Sequence, residues 1–355
     1  MDRREFLKVI GSTAGSCALG THAVFAGATT GNLAELTQVN GLPKRVLGRT
    51  GERVSVVGFP GLALHHYEQD RCTTGIHEAF DRGLNYYDVA PAYGRDGECE
   101  IKMGVGLQGI DRSDIFLACK TKMRDNDGAR MELERSLKRL KTDHFDLYQM
   151  HCLRTPAEVK QALGAGGALE TFLKAKEEGK VRYLGFSAHT TKGALEALRG
   201  FRFDTVMFPI SFVDYYEMGF GKPVLDLANE QGAAVLAIKP LSMGAWPQGV
   251  ERKRKWWYRT TETPQEVSLA MRFALSLEGV VAGIPPSFLD LLDKAIDAAY
   301  SYRPITAAET QKVQQMAETC KALFRREEER VARGRRFDRP VYPDSPHECC
   351  PYANA

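Results

Sequence analysis

Three stretches decide the fold: Leu84-Asn85-Tyr86-Tyr87-Asp88, Ile115-Phe116-Leu117-Ala118-Cys119-Lys120 and Phe145-Asp146-Leu147-Tyr148-Gln149-Met150-His151. Each is a short apolar run that closes on an ionisable residue. The closing residues are evenly spaced (120 − 88 = 32, 151 − 120 = 31), near the ~30 residues of one βα unit. Ionisable residues at the C-terminal ends of successive parallel strands belong to the catalytic face of a (β/α)8 barrel.

Outward from these runs the chain alternates. Runs rich in Val, Ile, Leu, Phe and Tyr give way to stretches with apolar residues three and four apart. Eight strands are expected over about 54–60, 84–89, 115–120, 145–151, 181–187, 205–210, 233–239 and 279–284. Helices are expected near 70–82, 98–107, 127–141, 156–179, 190–199, 222–231, 264–277 and 288–300. Thr155-Pro156 and Thr263-Pro264 supply helix starts, and Gly179 a stop. Lys44–Gly48 and Arg53–Val57, joined through Arg49-Thr50-Gly51, read as an N-terminal β-hairpin. The pattern is that of an α/β (β/α)8 TIM barrel. A doubly wound sheet fits less well, because Gly58-Phe59-Pro60-Gly61 lacks the G-x-G-x-x-G spacing.

The expected organisation has four parts. Residues 1–26 read as a twin-arginine signal peptide: Arg3-Arg4 is followed by Phe6-Leu7-Lys8 and a small, mildly apolar run ending at Val24-Phe25-Ala26. Residues 27–43 read as a linker, 44–304 as the barrel, and 305–355 as an extra C-terminal helix (306–336) with a tail containing Pro and Cys. Export to the periplasm through the twin-arginine machinery follows from that reading. That route carries proteins already folded, which suits an enzyme that loads a tight cofactor first.

The chain has 355 residues, a net charge of +3 and a pI of about 8.3. That charge is too mild for a nucleic-acid-binding face, and no apolar run is long enough to suggest a stable membrane span. Cys119 and Cys152 flank the candidate catalytic residues and read as small buried side chains. Cys320, Cys349 and Cys350 leave a disulfide, free thiols or metal binding open. No Cys-x-x-Cys spacing occurs.

Reducing a carbonyl requires a hydride donor, an acid for the oxygen, and stabilisation of the developing charge. A tyrosine with pKa about 10 is a reluctant acid, and a nearby ammonium lowers that value. Lys120 offers the ammonium, Asp88 a carboxylate to hold it, and His151 a hydrogen bond to the substrate oxygen. Tyr93 lies on the loop five residues past Asp88, within reach of the barrel mouth. Singly, Asp88 reads as a strand-end cap, Lys120 as a solvated lysine and His151 as a structural histidine. Together at successive strand ends they read as a catalytic unit.

The sequence resembles the aldo-keto reductase superfamily from Lys44 to about Ala299. The resemblance rests on Leu47-Gly48-Arg49-Thr50-Gly51, Asn85–Gly94, Leu117–Lys120, Asp146–His151, Gly185-Phe186-Ser187 and Lys239-Pro240-Leu241-Ser242-Met243-Gly244. It implies an NAD(P)H-dependent oxidoreductase acting on a small-molecule carbonyl or a sugar. Its catalytic set falls on Tyr93, Lys120, Asp88 and His151, with Tyr93 as general acid or base. It also implies cofactor contacts at Ser187, at Pro240, Leu241 and Gly244, and at the loop from Ile284 to Ser287. The chain departs from the family pattern at Met207, at Ala188 and at Ile284-Pro285-Pro286. No Arg falls in 286–294, so the cofactor is left as NADP or NAD. Two other functions fit the barrel: a non-catalytic dinucleotide-binding or sensor protein, and a Schiff-base aldolase using Lys120.

Overall fold

A computed structural model describes residues 37–39 and 41–335. The expected signal peptide, most of the expected linker and the Cys349-Cys350 pair lie outside them. The first three strands, β1 (Thr37–Val39), β2 (Leu42–Val46) and β3 (Arg53–Ser55), form an antiparallel sheet. The hairpin is therefore present, with a third strand inside the segment expected as linker. Its turn is built on Gly51, whose φ of 78° favours glycine.

Eight parallel strands follow: β4 (Gly58–Pro60), β5 (Tyr86–Asp88), β6 (Phe116–Thr121), β7 (Phe145–Leu153), β8 (Val181–Ala188), β9 (Thr205–Pro209), β10 (Ala234–Ile238) and β11 (Val280–Ile284). They pair in sequence order from β4 to β11. A bridge between Val57 and Gly283, with the Gly283 amide donating to the Val56 carbonyl at 2.9 Å, brings the two edges together. The single strand expected over 54–60 is thus two. Residues 53–55 belong to the hairpin sheet, and 58–60 open the barrel.

Strand side chains alternate between two cores. Tyr86, Phe116, Ala118, Leu147, Met207, Leu236, Ala282 and Ile284 share the inner cluster with Leu47 and Val54 of the hairpin. Tyr87, Leu117, Cys119, Tyr148 and Met150 face the outer core against the helices. The hairpin thus plugs the end of the barrel where the strands begin. Arg45 fastens it, donating to the Leu275 and Val280 carbonyls at 2.7 Å each.

The helices are α1 (Gln69–Asp81), α2 (Glu98–Gly106), α3 (Asn126–Leu140), α4 (Pro156–Leu163), α5 (Ala168–Glu177), α6 (Thr191–Gly200), α7 (Phe212–Met218), α8 (Lys222–Gln231), α9 (Pro264–Leu275), α10 (Leu289–Tyr300), α11 (Ala307–Glu318) and α12 (Arg325–Ala332). Three departures from the sequence reading have local causes. The helix expected over 156–179 breaks at Gly164-Ala165-Gly166-Gly167, where glycine weakens a helix interior. Helix α7 was not expected, although Ser211 caps it by accepting from the Asp214 amide and Gly219 ends it left-handed. The final helix expected over 306–336 is two helices, α11 and α12. They are separated by a turn whose Ala322 and Phe324 amides donate to Glu217 and Asp214. No helix among the described residues is long and apolar enough to cross a membrane.

Candidate active site

Asp88, Lys120 and His151 occupy the C-terminal ends of β5, β6 and β7. All three follow inner-face residues at a spacing of two (Tyr86, Ala118, Gln149), so alternation alone aims them into the barrel mouth. Lys120 is fully buried and donates to the Asp88 carboxylate and, at 3.2 Å, to the Val89 carbonyl. The other Asp88 oxygen accepts from Gln149 at 3.3 Å and from the Tyr86 hydroxyl at 3.4 Å. Burial pushes the Asp88 carboxyl up, while Lys120 and these donors pull it back.

Tyr93 completes the group. Its ring lies 5.0 Å from the Lys120 ammonium, within cation–π range, and meets the His151 ring edge-on at 5.6 Å between centroids. The four residues expected to act together are therefore neighbours in space. Two residues further on, the Lys122 amide donates to Glu132 at 3.1 Å.

A cleft opens over the group, lined by Asp88, Tyr93 and His151 at one side and by Ser187, Ile284 and Ser287 further along. The Ser187 hydroxyl accepts from the Cys152 amide at 2.7 Å, which fixes its orientation. Pro240, Leu241 and Gly244 do not line the cleft. Leu241 is fully buried, and a Cβ on Gly244 would overlap the Lys321 carbonyl oxygen. Met207 does line it. So do Trp256, Trp257 and Tyr258, which are buried and form an aromatic wall. His65 and His66 do not join a metal cluster. His65 pairs with Glu98 at 3.1 Å, and the His66 ring stacks on Phe288 at 4.7 Å. No group that could hold a metal ion occurs among the described residues.

Sequence reading missed two contributors. Gln149 had a signal: it precedes His151 by two on one strand, and so shares its face. His189 had a weaker one. Lys239, which the sequence reads as structural or near the cofactor, lines the cleft with His189; the two are in contact at 3.4 Å, and His189 Nδ1 lies 3.4 Å from the Cys152 thiol. Burial holds the His189 imidazole down at about 4, so it is neutral at physiological pH. Cys152 and Lys239 adopt left-handed backbones (φ 58° and 57°), uncommon for non-glycine residues and often found at functional sites. Cys119 and Cys152 are buried, as expected, and so is Cys320, whose thiol lies 3.3 Å from the Met316 carbonyl.

Residues 65–323 match the model of the Aldo/keto reductase family. The chain is 30% identical over 217 residues to L-galactose dehydrogenase of Arabidopsis thaliana, covering 56% of this chain and 66% of that protein. It is 32% identical over 235 residues to 6-dehydroglucose reductase of Novosphingobium aromaticivorans, covering 59% and 73%. A relative of similar identity is an uncharacterized oxidoreductase of Bacillus subtilis, YqkF (30% over 213 residues, 57% and 65%). The matched region spans just under two thirds of the length of YqkF and of L-galactose dehydrogenase. Among solved structures, the holo form of aldo-keto reductase AKR11C1 from Bacillus halodurans superimposes with a TM-score of 0.64 at 26% identity, over 81% of this chain and 99% of that one. An aldo-keto reductase from Klebsiella pneumoniae in complex with NADPH shares the fold (TM-score 0.59, 18% identity, 77% and 94%). The barrel, the group at its mouth and the family match agree: this chain belongs to the aldo/keto reductase family.

Proposed function

We propose that the protein is an NAD(P)H-dependent oxidoreductase that interconverts a carbonyl, in an aldehyde, ketone or sugar, and the corresponding alcohol. One observation carries this reading: the buried Lys120–Asp88 pair lies directly beneath Tyr93, at the mouth of a cleft that His151 also lines. In reduction the Tyr93 hydroxyl gives its proton to the substrate oxygen. Lys120 stabilises the phenolate that remains, and Asp88 holds Lys120 in place and charged. His151 donates to the substrate oxygen and orients it. A nicotinamide dinucleotide, when bound, supplies the hydride to the carbonyl carbon or takes it up in the reverse direction.

The residues present fit one end of such a cofactor. The Ser187 hydroxyl faces the cleft next to the catalytic group, and the same cleft continues to Ser287. Met207 offers no hydrogen bond beside it, so amide recognition falls to Ser187. Either NADP or NAD is compatible with these residues. The aromatic wall of Trp256, Trp257 and Tyr258 suits a sugar, whose ring has apolar faces. The names of two relatives point the same way. We also place the protein in the periplasm, on the strength of Arg3-Arg4 and the run that follows.

The test is turnover by the purified protein. NADH and NADPH oxidation is followed with a panel of aldehydes, ketones and sugar carbonyls, and the reverse reaction with sugars and each oxidised cofactor. Absence of turnover in both directions, with dinucleotide bound, would replace this reading with that of a binding or sensor barrel, which Met207 in the cleft favours. Mass spectrometry of the denatured protein from a periplasmic fraction tests the rest. It is expected to release NAD or NADP and to find residues 1–26 removed.

A further inference from the structure

Helix α12 is held to the barrel by little apolar surface. Its buried residues are Val331 and Glu327. Glu327 is fully buried, and neither carboxylate oxygen has a hydrogen-bond partner. An orphaned carboxyl in a protein interior is costly when ionised, and tolerable when it carries a proton.

The surroundings of Glu327 are specific. Cys152 and Arg154 face it from the end of β7, Lys239 from just beyond β10, and Glu328 from its own helix. His189 stands beside Cys152 and Lys239. Arg154 and Lys239 pull the Glu327 carboxyl down and burial pushes it up. Burial wins, raising it to about 8.

The turn before α12 is tied to the barrel independently. The Phe324 amide donates to Asp214 at 3.1 Å, and its ring stacks on Phe220 at 5.2 Å. The Ala245 amide donates to the Lys321 carbonyl at 2.9 Å. Arg325, the first residue of the helix, donates to Glu217 at 2.6 Å and extends this root; further along, the Thr191 amide donates to Glu328 at 2.7 Å. The turn and Arg325 together form the root of α12. Phe324 packs on Lys239 and His189, which line the cleft, and Glu327 faces Lys239 from the helix.

We propose that α12 is a proton-latched flap: it closes the Lys239–His189 wall of the cleft when Glu327 is protonated, and lifts about the Phe324 turn when Glu327 ionises. The sign follows from linkage. The docked state binds the proton more tightly than the lifted state, where the carboxyl has its ordinary value near 4.5. Docking is therefore strongest below that value. It weakens about tenfold per pH unit up to about 8 and levels off above. The device does not depend on which ligand the cleft takes.

The experiment is hydrogen exchange of the full-length protein at pH 5, 6, 7, 8 and 9, with rates corrected for intrinsic exchange. Amides of α12 are expected to lose about tenfold protection per unit between pH 5 and 8 and then level off, while amides of α11 stay constant. Glu327→Gln and Glu327→Leu are expected to keep α12 protected and flat across the range. Two variants guard against a folding defect in either. Protection of α12 that does not change with pH in the wild type overturns the proposal, as does an unchanged slope in a folded variant.

Discussion

The Lys120 ammonium is hydrogen-bonded to the Asp88 carboxylate, and neither side chain is open to solvent. The two residues sit on adjacent strands 32 positions apart. A buried charge is tolerated when it is paired and hydrogen-bonded. Here the pair sits beneath the ring of Tyr93.

That pairing predicts an asymmetry. Removing one partner of a buried ion pair costs about 3–5 kcal/mol when the other charge is left behind. Asp88→Asn leaves Lys120 charged and buried, so it is expected to fall in that range. Lys120→Met is expected to cost less, because burial already pushes Asp88 towards its protonated form. Urea denaturation of both variants measures this, and the reverse order would refute the argument.

Tyr93→Phe removes one hydroxyl from a half-buried side chain. Turnover is expected to drop by about 10²–10⁴-fold, the usual worth of a general acid. Dinucleotide affinity, read by fluorescence titration, is expected to change less than about twofold, on the order of a small binding term. Undiminished turnover would remove Tyr93 from the reaction.

Gly61 follows β4 at a close approach to the strand that carries Asp88. A Cβ there would overlap the Asp88 carbonyl oxygen and press on Met103 and Val89. Gly61→Ala is expected to destabilise by about 1–3 kcal/mol, as overpacked sites do. It is also expected to reduce turnover, since the backbone that moves bears the carboxylate. A fully active, fully stable variant would show that β4 yields without disturbing β5.

His189 gives the protein an acid sensitivity. Its folded-state value is about 4, below the ordinary 6.5. A depressed histidine contributes stability that is fully present above 6.5 and lost as the pH falls towards 4. The most it contributes is about 3 kcal/mol, from 1.36 kcal/mol per unit. His189→Gln is expected to flatten the stability profile between pH 6.5 and 4 in urea denaturation. An unchanged profile would assign the acid slope to other groups.

Much of this was legible in the chain. The even spacing of Asp88, Lys120 and His151 exposed the βα period, and strand alternation aimed all three to one end. The fourth helix pattern, over 156–179, failed at Gly164 to Gly167, where three glycines were visible but the overall periodicity looked continuous. Helix α7 escaped because seven residues hold too few turns for a periodic signal. The cofactor-side residues divided: Ser187, Ile284 and Ser287 line the cleft, whereas Leu241 is buried in the core and Gly244 lies against the Lys321 backbone.

The sequence by itself determined the barrel and the four residues at its mouth. Both follow from local period, two along a strand and about thirty between strands, and local period survives in one dimension. Only the tertiary structure decided that Gln149 and Tyr86 share the Asp88 carboxylate, that His189 meets Lys239 and Cys152, and that Glu327 is buried against that cluster. Those contacts join residues as far apart as 152 and 327. Their chemistry depends on exclusion of water, and exclusion is a property of the packed barrel rather than of any segment of the chain.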